Sequence, residues 1–486
     1  MRIKKSIGTT RTETLLSELC EQTFLKLWSY PNPYKEDGKE LCDLLVVFDD
    51  YVFIFFDRES ERLRNGKGDL AIQWQRWKKE VIDKQLNTAR GAAKYVNSGR
   101  PIFLDSKRKQ AFPVSIPTNP KVFQFVVAHG AMEACRARSE DNITGSLAIG
   151  YVPSIGPELD EPFFVSLPRD EITHVLDSEN LGIILHELDT IFDFSRYFDE
   201  KERAIARYQM LTYCGEEDLL AHYMLNGSDN AGGHRIGSDE LFEFVHIGEG
   251  EWRDFALSHA YEAKKKADSI SYIWDALIQK TSENALNGTG SGNANPFVGR
   301  SAINYMAREP RFVRRAFAEQ INKAIEAFPE DSGPIARHVS LMPSFYQNQS
   351  YVFLQLWVQD KGDYDTEYRP KRTEILQIAC VAAKQKFPDL ERVIGIAIDA
   401  PKFADGVNSE DLVLIEFADI ETSTLKHFEE LNEHFRFFCN PTMTKKKVCE
   451  FPVPFRAESP REVRKVGRNQ QCSCGSGLKY KRCCLR

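Results

Sequence analysis

A chain of 486 residues, 42% apolar and 28% charged, has material for roughly three hydrophobic cores and the composition of a globular protein. Its formal net charge of −7 argues against a protein that coats nucleic acid, though not against a local basic site. No apolar run reaches the ~18–20 residues needed to cross a bilayer, and the basic start of the chain has no apolar segment behind it of the kind a secretion signal carries. The expected location is therefore the cytoplasm, with no membrane span.

In chain order, the spacing of Leu15, Leu16, Leu19, Phe24 and Leu27 predicts a partly buried helix over Thr12 to Trp28, stopped by Tyr30-Pro31-Asn32-Pro33. Leu41 to Phe48 and Tyr51 to Phe56 are apolar at nearly every position and flank Asp49-Asp50. They read as a hairpin of central strands covered on both faces. A long helix is expected from Asp69 to Val96, where Trp74 and Trp77 are interleaved with basic residues. Such a helix could track a phosphate backbone, although it more commonly buries its tryptophans and exposes its charges. Phe123–Val127 and Leu147–Val152 are candidate strands, and Asp177 to Tyr197 reads as one helix capped by Asp177-Ser178. A mainly helical region is expected to about residue 330, interrupted by loops at Asn226 to Gly250 and Asn287 to Pro296. A second α/β pattern follows: strands at Tyr351–Val358, Val393–Ile398 and Leu412–Phe417, with a helix over Arg369–Lys386. Three prolines between Phe451 and Arg461 mark a flexible joint.

Eleven cysteines do not suit a disulfide framework. Seven are scattered, and Cys472, Cys474, Cys483 and Cys484 crowd into the last fifteen residues. Zinc prefers four tetrahedral thiolates, and two close pairs joined by a turn through Gly475 and Gly477 supply them. A fragment this short buries too little to fold without the metal. The sequence Cys472-Ser473-Cys474-Gly475-Ser476-Gly477 with Tyr480, Cys483 and Cys484 resembles the SEC-C motif, the module found at the C-terminus of the translocation ATPase SecA. The resemblance implies a structural Zn²⁺ held by these four cysteines and a partner-binding appendage. Eight Lys or Arg against one Glu between Pro460 and Arg486 leave the tail basic even with the zinc thiolates counted, so the knuckle suits a protein partner, nucleic acid or an anionic lipid surface.

At the other end, Glu18 or Glu21 on the first helix, Glu40 and Asp43 at the first strand and Asp57 on the second resemble the PD-(D/E)XK nuclease superfamily. The stretch Phe24 to Pro33 leading into Glu40-Leu41-Cys42-Asp43 is similar to a group of bacterial proteins with such a domain, some of them associated with antiphage defence. The resemblance implies that Asp43 and Asp57 hold Mg²⁺ or Mn²⁺ beside a phosphodiester of DNA or RNA, with Glu18 or Glu21 orienting metal or water. The Lys expected two residues after the second strand acid is replaced by Glu59, and Arg58 is too basic for proton transfer; a Lys from elsewhere, such as Lys84, would be required. Register decides whether the two carboxylates meet. A two-residue turn at Asp49-Asp50 sends Asp43 and Asp57 to opposite faces, and a three-residue turn puts them on one.

These readings define an α/β (α+β) multidomain protein. A restriction-endonuclease-like domain is expected at 1–200, a mainly helical region at 201–335, a second α/β domain at 336–455 and the zinc knuckle at 462–486. The expected function is that of a metal-dependent nuclease or a nuclease-derived nucleic-acid-binding protein; the alternative is a non-catalytic adaptor that binds a protein through the knuckle. His186-Glu187-Leu188-Asp189-Thr190 opens like a zincin helix but lacks the second His.

Overall fold

The structure, a computed structural model, describes residues 5–455 apart from 65–67, 139–143, 154–160, 228–232, 238–242, 288–299, 331–332 and 404–408. The expected zinc knuckle, with Cys472, Cys474, Cys483 and Cys484, lies outside the described residues. The rest is mixed α/β.

The first helix, Arg11–Trp28, begins at a reciprocal cap: Thr10 accepts from the Glu13 N–H, and the Glu13 side chain reaches back to the amides of Thr9 and Thr10. Ser29–Pro31 then pairs antiparallel with Leu44–Phe48, which pairs antiparallel with Tyr51–Glu59. Tyr51–Glu59 runs parallel to Lys121–His129, and that strand runs parallel to His174–Asp177. The result is a five-stranded mixed sheet in which both hairpin strands are buried almost throughout. One face carries Phe53, Phe55, Phe123 and Phe125 against Phe24 of the first helix and Phe194; Phe53 stacks on Phe24 at 5.3 Å and on Phe123 at 5.4 Å between ring centroids. The other face carries Leu45, Val47, Val52, Ile54 and Phe56 against Tyr30 and the helix Lys84–Asn97. These two layers account for the apolar character of both strand faces.

The expected helix over Asp69 to Val96 is capped by Asp69 and runs from Leu70 to Asn97, with a π-helical turn at Lys79–Asp83 between its two α-helical parts. Trp74 and Trp77 are fully buried and stacked, so they are core residues.

The single helix expected over Asp177 to Tyr197 is instead a strand, His174–Asp177, followed by two helices, Asn180–Glu187 and Ile191–Arg207. Leu188 leaves helical geometry at φ −99°, ψ 50°, and Thr190 caps a new helix by accepting from the Asp193 N–H. Apolar spacing continues across the break, so periodicity alone could not show it. The cap is not Asp177-Ser178 either: Glu179 is the N-cap residue and its side chain makes no capping bond, while Asp177, at the strand end, accepts at Oδ1 from the N–H groups of Glu179 and Asn180.

The region 201–335 is less purely helical than expected. Met210–Tyr213 pairs antiparallel with Ala148–Val152 and parallel with Phe244–Ile247, and Phe164–Pro168 completes a second four-stranded sheet. Four-residue strands carry too short an alternation to be distinguished from helix turns. In the last part, Ile335–Pro343, Gln349–Val358, Arg392–Asp399 and Asp411–Glu416 form a third sheet covered by the expected helix Arg369–Lys386. At the expected joint, Phe451 and Phe455 pack on Phe255, and Arg315 donates to the carbonyls of Cys449 and Glu450. The described start of that segment is thus docked against the helices of the middle region. Among the described residues, no helix is long and apolar enough to cross a membrane.

Candidate functional site at the end of the first sheet

Three neighbouring strands, Tyr51–Glu59, Lys121–His129 and His174–Asp177, run in the same direction and end together. In open α/β sheets, this carboxyl edge is where strand-end side chains emerge toward ligands. The edge carries Asp57, His129, Asp177 and Ser178, with Asp43 arriving from the antiparallel neighbour.

The hairpin register pairs Leu44 with Phe55 and Phe48 with Tyr51, so the turn is the two-residue Asp49-Asp50. Asp57 accordingly lies on the face of Phe53 and Phe55, and Asp43 on the face of Leu45 and Val47. The two residues still touch, because one carboxylate oxygen of Asp43 accepts from the main-chain N–H of Asp57 at 2.6 Å. Burial pushes the Asp43 carboxyl up to about 7; the bond from Asp57 opposes this, and the nearby carboxylates of Glu13 and Glu40 add to it. Asn32 donates to both Glu13 and Glu40, so these acids gather on the Asp43 side of the sheet.

The carboxylate of Asp57, 4% exposed as a residue, meets His129 Nε2 at 2.7 Å. The other ring nitrogen, Nδ1, is 2.8 Å from the hydroxyl of Ser178, an exposed residue. The main chain of His129 is held as well, with its carbonyl accepting from the Trp77 indole at 3.2 Å. Directly after it, Gly130 takes φ +96°, and a Cβ built there would lie 2.1 Å from the Ser60 carbonyl oxygen. Glycine is required for the strand to leave at that angle.

Behind Ser178, Asp177 also accepts from the Leu147 N–H, and its burial raises its carboxyl above the usual range. Glu217, fully buried, is pushed up to about 8 by desolvation and by Asp177, and it accepts from the Ser146 hydroxyl at 2.5 Å.

Glu18 and Glu21 are not at this edge. They line a cavity of about 670 Å³ with His186, Asp189, Asp275 and Arg311, between the first helix and the helices of the middle region. The helix acid near Asp43 is Glu13, in the first turn. Lys84 is exposed on its helix beside Glu80. Glu187 of the zincin-like stretch binds the Tyr261 hydroxyl and Lys265. Among the described residues, no group of three or more His, Cys, Asp and Glu side chains is placed to hold a metal ion. A shared Mg²⁺ or Mn²⁺ does not fit Asp43 and Asp57 as they stand, because one carboxylate is engaged by a main-chain amide and the other by an imidazole on the opposite face.

Sequence reasoning missed His129, Ser178 and Glu217. A single His closing an apolar strand carries no spacing signal, and Asp177-Ser178 was legible only as a helix cap.

Comparison with known proteins places one module. Residues 468–486 match the SEC-C motif. Over that motif region the chain is 41% identical across 56 residues to the protein translocase subunit SecA of Nitratidesulfovibrio vulgaris (strain DSM 19637 / Miyazaki F), a stretch covering 12% of this chain and 7% of the relative. The chain thus spans 7% of the length of the curated relative it matches. No solved structure matches it.

Proposed function

We propose that this is a zinc-binding SEC-C protein whose N-terminal half is a nuclease-derived unit that binds nucleic acid without metal-dependent cleavage. Three features support the nuclease ancestry: a helix packed on an antiparallel hairpin, a following helix that crosses to a parallel strand, and acids clustered at the sheet end. The divergence of Asp43 and Asp57 speaks against a hydrolytic Mg²⁺ centre. The antiphage setting rests on the sequence resemblance of Phe24 to Asp43.

The observation that carries binding is the surface of the Leu70–Asn97 helix. With Trp74 and Trp77 buried, Arg76, Lys79, Lys84 and Lys94 are exposed along about 27 Å of helix. Of the nearby acids, Glu80 is engaged by Arg62, Glu171 pairs with Arg90, and Asp83 is exposed between Lys79 and Lys84, leaving the helix surface net positive. A row of cations with this reach neutralises successive phosphates and releases counterions. The basic tail around the SEC-C cysteines would add to it, with Zn²⁺ held by Cys472, Cys474, Cys483 and Cys484 as a closed structural site.

The test is binding of fluorescent single-stranded RNA and duplex DNA across a salt series, for the wild type and for the charge-reversed triple variant Lys79→Glu, Lys84→Glu, Lys94→Glu. Binding that weakens steeply with salt and collapses in the variant supports the reading. Equal binding by both proteins would remove the helix from it.

A further inference from the structure

The metal question leaves the Asp57–His129–Ser178 chain unexplained, and its geometry has a chemistry of its own. The buried Asp57 carboxylate accepts the Nε2–H of His129 at 2.7 Å, which leaves Nδ1 as the lone-pair nitrogen, 2.8 Å from the Ser178 hydroxyl. The chain runs from a buried carboxylate, through an imidazole whose main chain is held by the Trp77 indole, to a hydroxyl at the surface. Ser178 stands in the two-residue turn between the end of the parallel strand His174–Asp177 and the start of the helix Asn180–Glu187. A strand–turn–helix corner of this kind presents a side chain outward from the sheet edge. A hydroxyl needing only a structural partner has water available to it, and does not explain why a buried carboxylate is used to fix the ring that faces it.

We propose that Ser178 is a nucleophile toward carboxylic esters, with His129 as its general base and Asp57 as a positioning residue that fixes the ring and its tautomer. The familiar serine triad turns Nε2 toward the serine, and here Nδ1 faces it; the proton accounting is unchanged. The Ser178 oxygen forms a bond to the ester carbonyl carbon, the carbonyl electron pair moves to oxygen, and the hydroxyl proton passes to His129 Nδ1. Collapse breaks the carbon–oxygen bond to the alcohol, which leaves with the proton from His129. Water then attacks the acyl-serine by the same route, releasing the acid and restoring Ser178. The main-chain amides of Glu179 and Asn180 are occupied by Asp177, so they are not donors to the anionic intermediate.

The experiment is labelling of the full chain with a fluorophosphonate probe, in which the serine oxygen bonds to phosphorus and fluoride leaves. The expected result is one label per chain, mapped to Ser178, absent in Ser178→Ala and slowed about 100-fold or more in His129→Gln. Because His129 is buried, Ser178→Cys gives an independent reading. Its alkylation by iodoacetamide should be fast, and should slow when Asp57→Asn is added to a protein whose melting is unchanged. Absence of labelling in the wild type, or labelling indifferent to Ser178→Ala or His129→Gln, overturns the proposal. Nucleic-acid binding by Ser178→Ala is expected to equal that of the wild type, so either reading can fail without the other.

Discussion

The carboxylate of Asp43 accepts a 2.6 Å hydrogen bond from the main-chain N–H of Asp57, while Asp57 turns its own carboxylate to His129 on the opposite face of the sheet. Two acids that are adjacent in the sheet are thus divided between two sites. One faces Glu13, Asn32 and Glu40; the other faces His129 and Ser178. The two-residue turn at Asp49-Asp50 is the cause, because a strand alternates its side chains with period two.

Asp43 should make the protein less stable as pH rises. Its folded carboxyl is raised to about 7, above the ordinary value near 3.9. Between those values the unfolded chain has lost the proton and the folded chain keeps it, so stability falls across that range and the loss is complete above about pH 7. Asp43→Asn keeps an acceptor for the Asp57 N–H and removes the penalty. It is expected to match the wild type in urea melts at pH 4 and to exceed it at pH 8 by on the order of 2–4 kcal/mol. An equal difference at both pH values would show that the carboxyl is not so perturbed.

Gly130→Ala should be destabilising out of proportion to one methyl. The residue sits at φ +96°, and the new Cβ would lie 2.1 Å from the Ser60 carbonyl oxygen, so backbone must move. A loss of about 1–3 kcal/mol is expected, with a lower melting temperature as the readout. A melting temperature within error of the wild type would mean that the turn after His129 is freely adjustable.

Arg311 holds together the wall of the cavity that contains Glu18 and Glu21. Its guanidinium donates to Asp189 at 2.8 Å, to Asp275 at 2.5 Å and to the Ser271 hydroxyl at 3.1 Å, and the residue is 5% exposed. Arg311→Ala leaves carboxylates buried with fewer counter-charges, for an expected cost of about 3–5 kcal/mol. Chemical denaturation measures it; a cost below about 1 kcal/mol would mean that the network relaxes onto Arg314, which also binds Asp275.

The tail predicts about one zinc per chain by metal analysis of the purified protein. The double variant Cys472→Ser, Cys474→Ser should lose it while the rest of the chain melts as before. A full complement of zinc in that variant would remove the assignment of the SEC-C cysteines as ligands.

The fold was legible where its signal is local. Leu44 to Phe56 is apolar on both faces because helices cover both, and Arg369–Lys386 emerged with the expected ends. The break at Leu188 was not legible, since the apolar spacing runs through it and only the cap at Thr190 marks the restart. Nor were Met210–Tyr213 and Phe244–Ile247, whose pairing partners lie far off in sequence. For the site, the sequence pointed to the right sheet edge through Asp43 and Asp57. It could not show that their side chains diverge, nor that His129, ending one later strand, and Ser178, in the turn after another, meet one of them.

One measurement bears most directly on the nucleic-acid reading: fluorescence polarisation of labelled RNA and DNA in the presence of Mn²⁺, with the probe examined on a gel afterwards. Salt-sensitive binding is expected, with a slope of about −3.6 in log affinity against log salt if the four exposed helix cations each meet a phosphate of duplex DNA, and with the probe recovered intact. Absence of binding at low salt would contradict the account, and so would cleavage of the probe that disappears in Asp43→Ala.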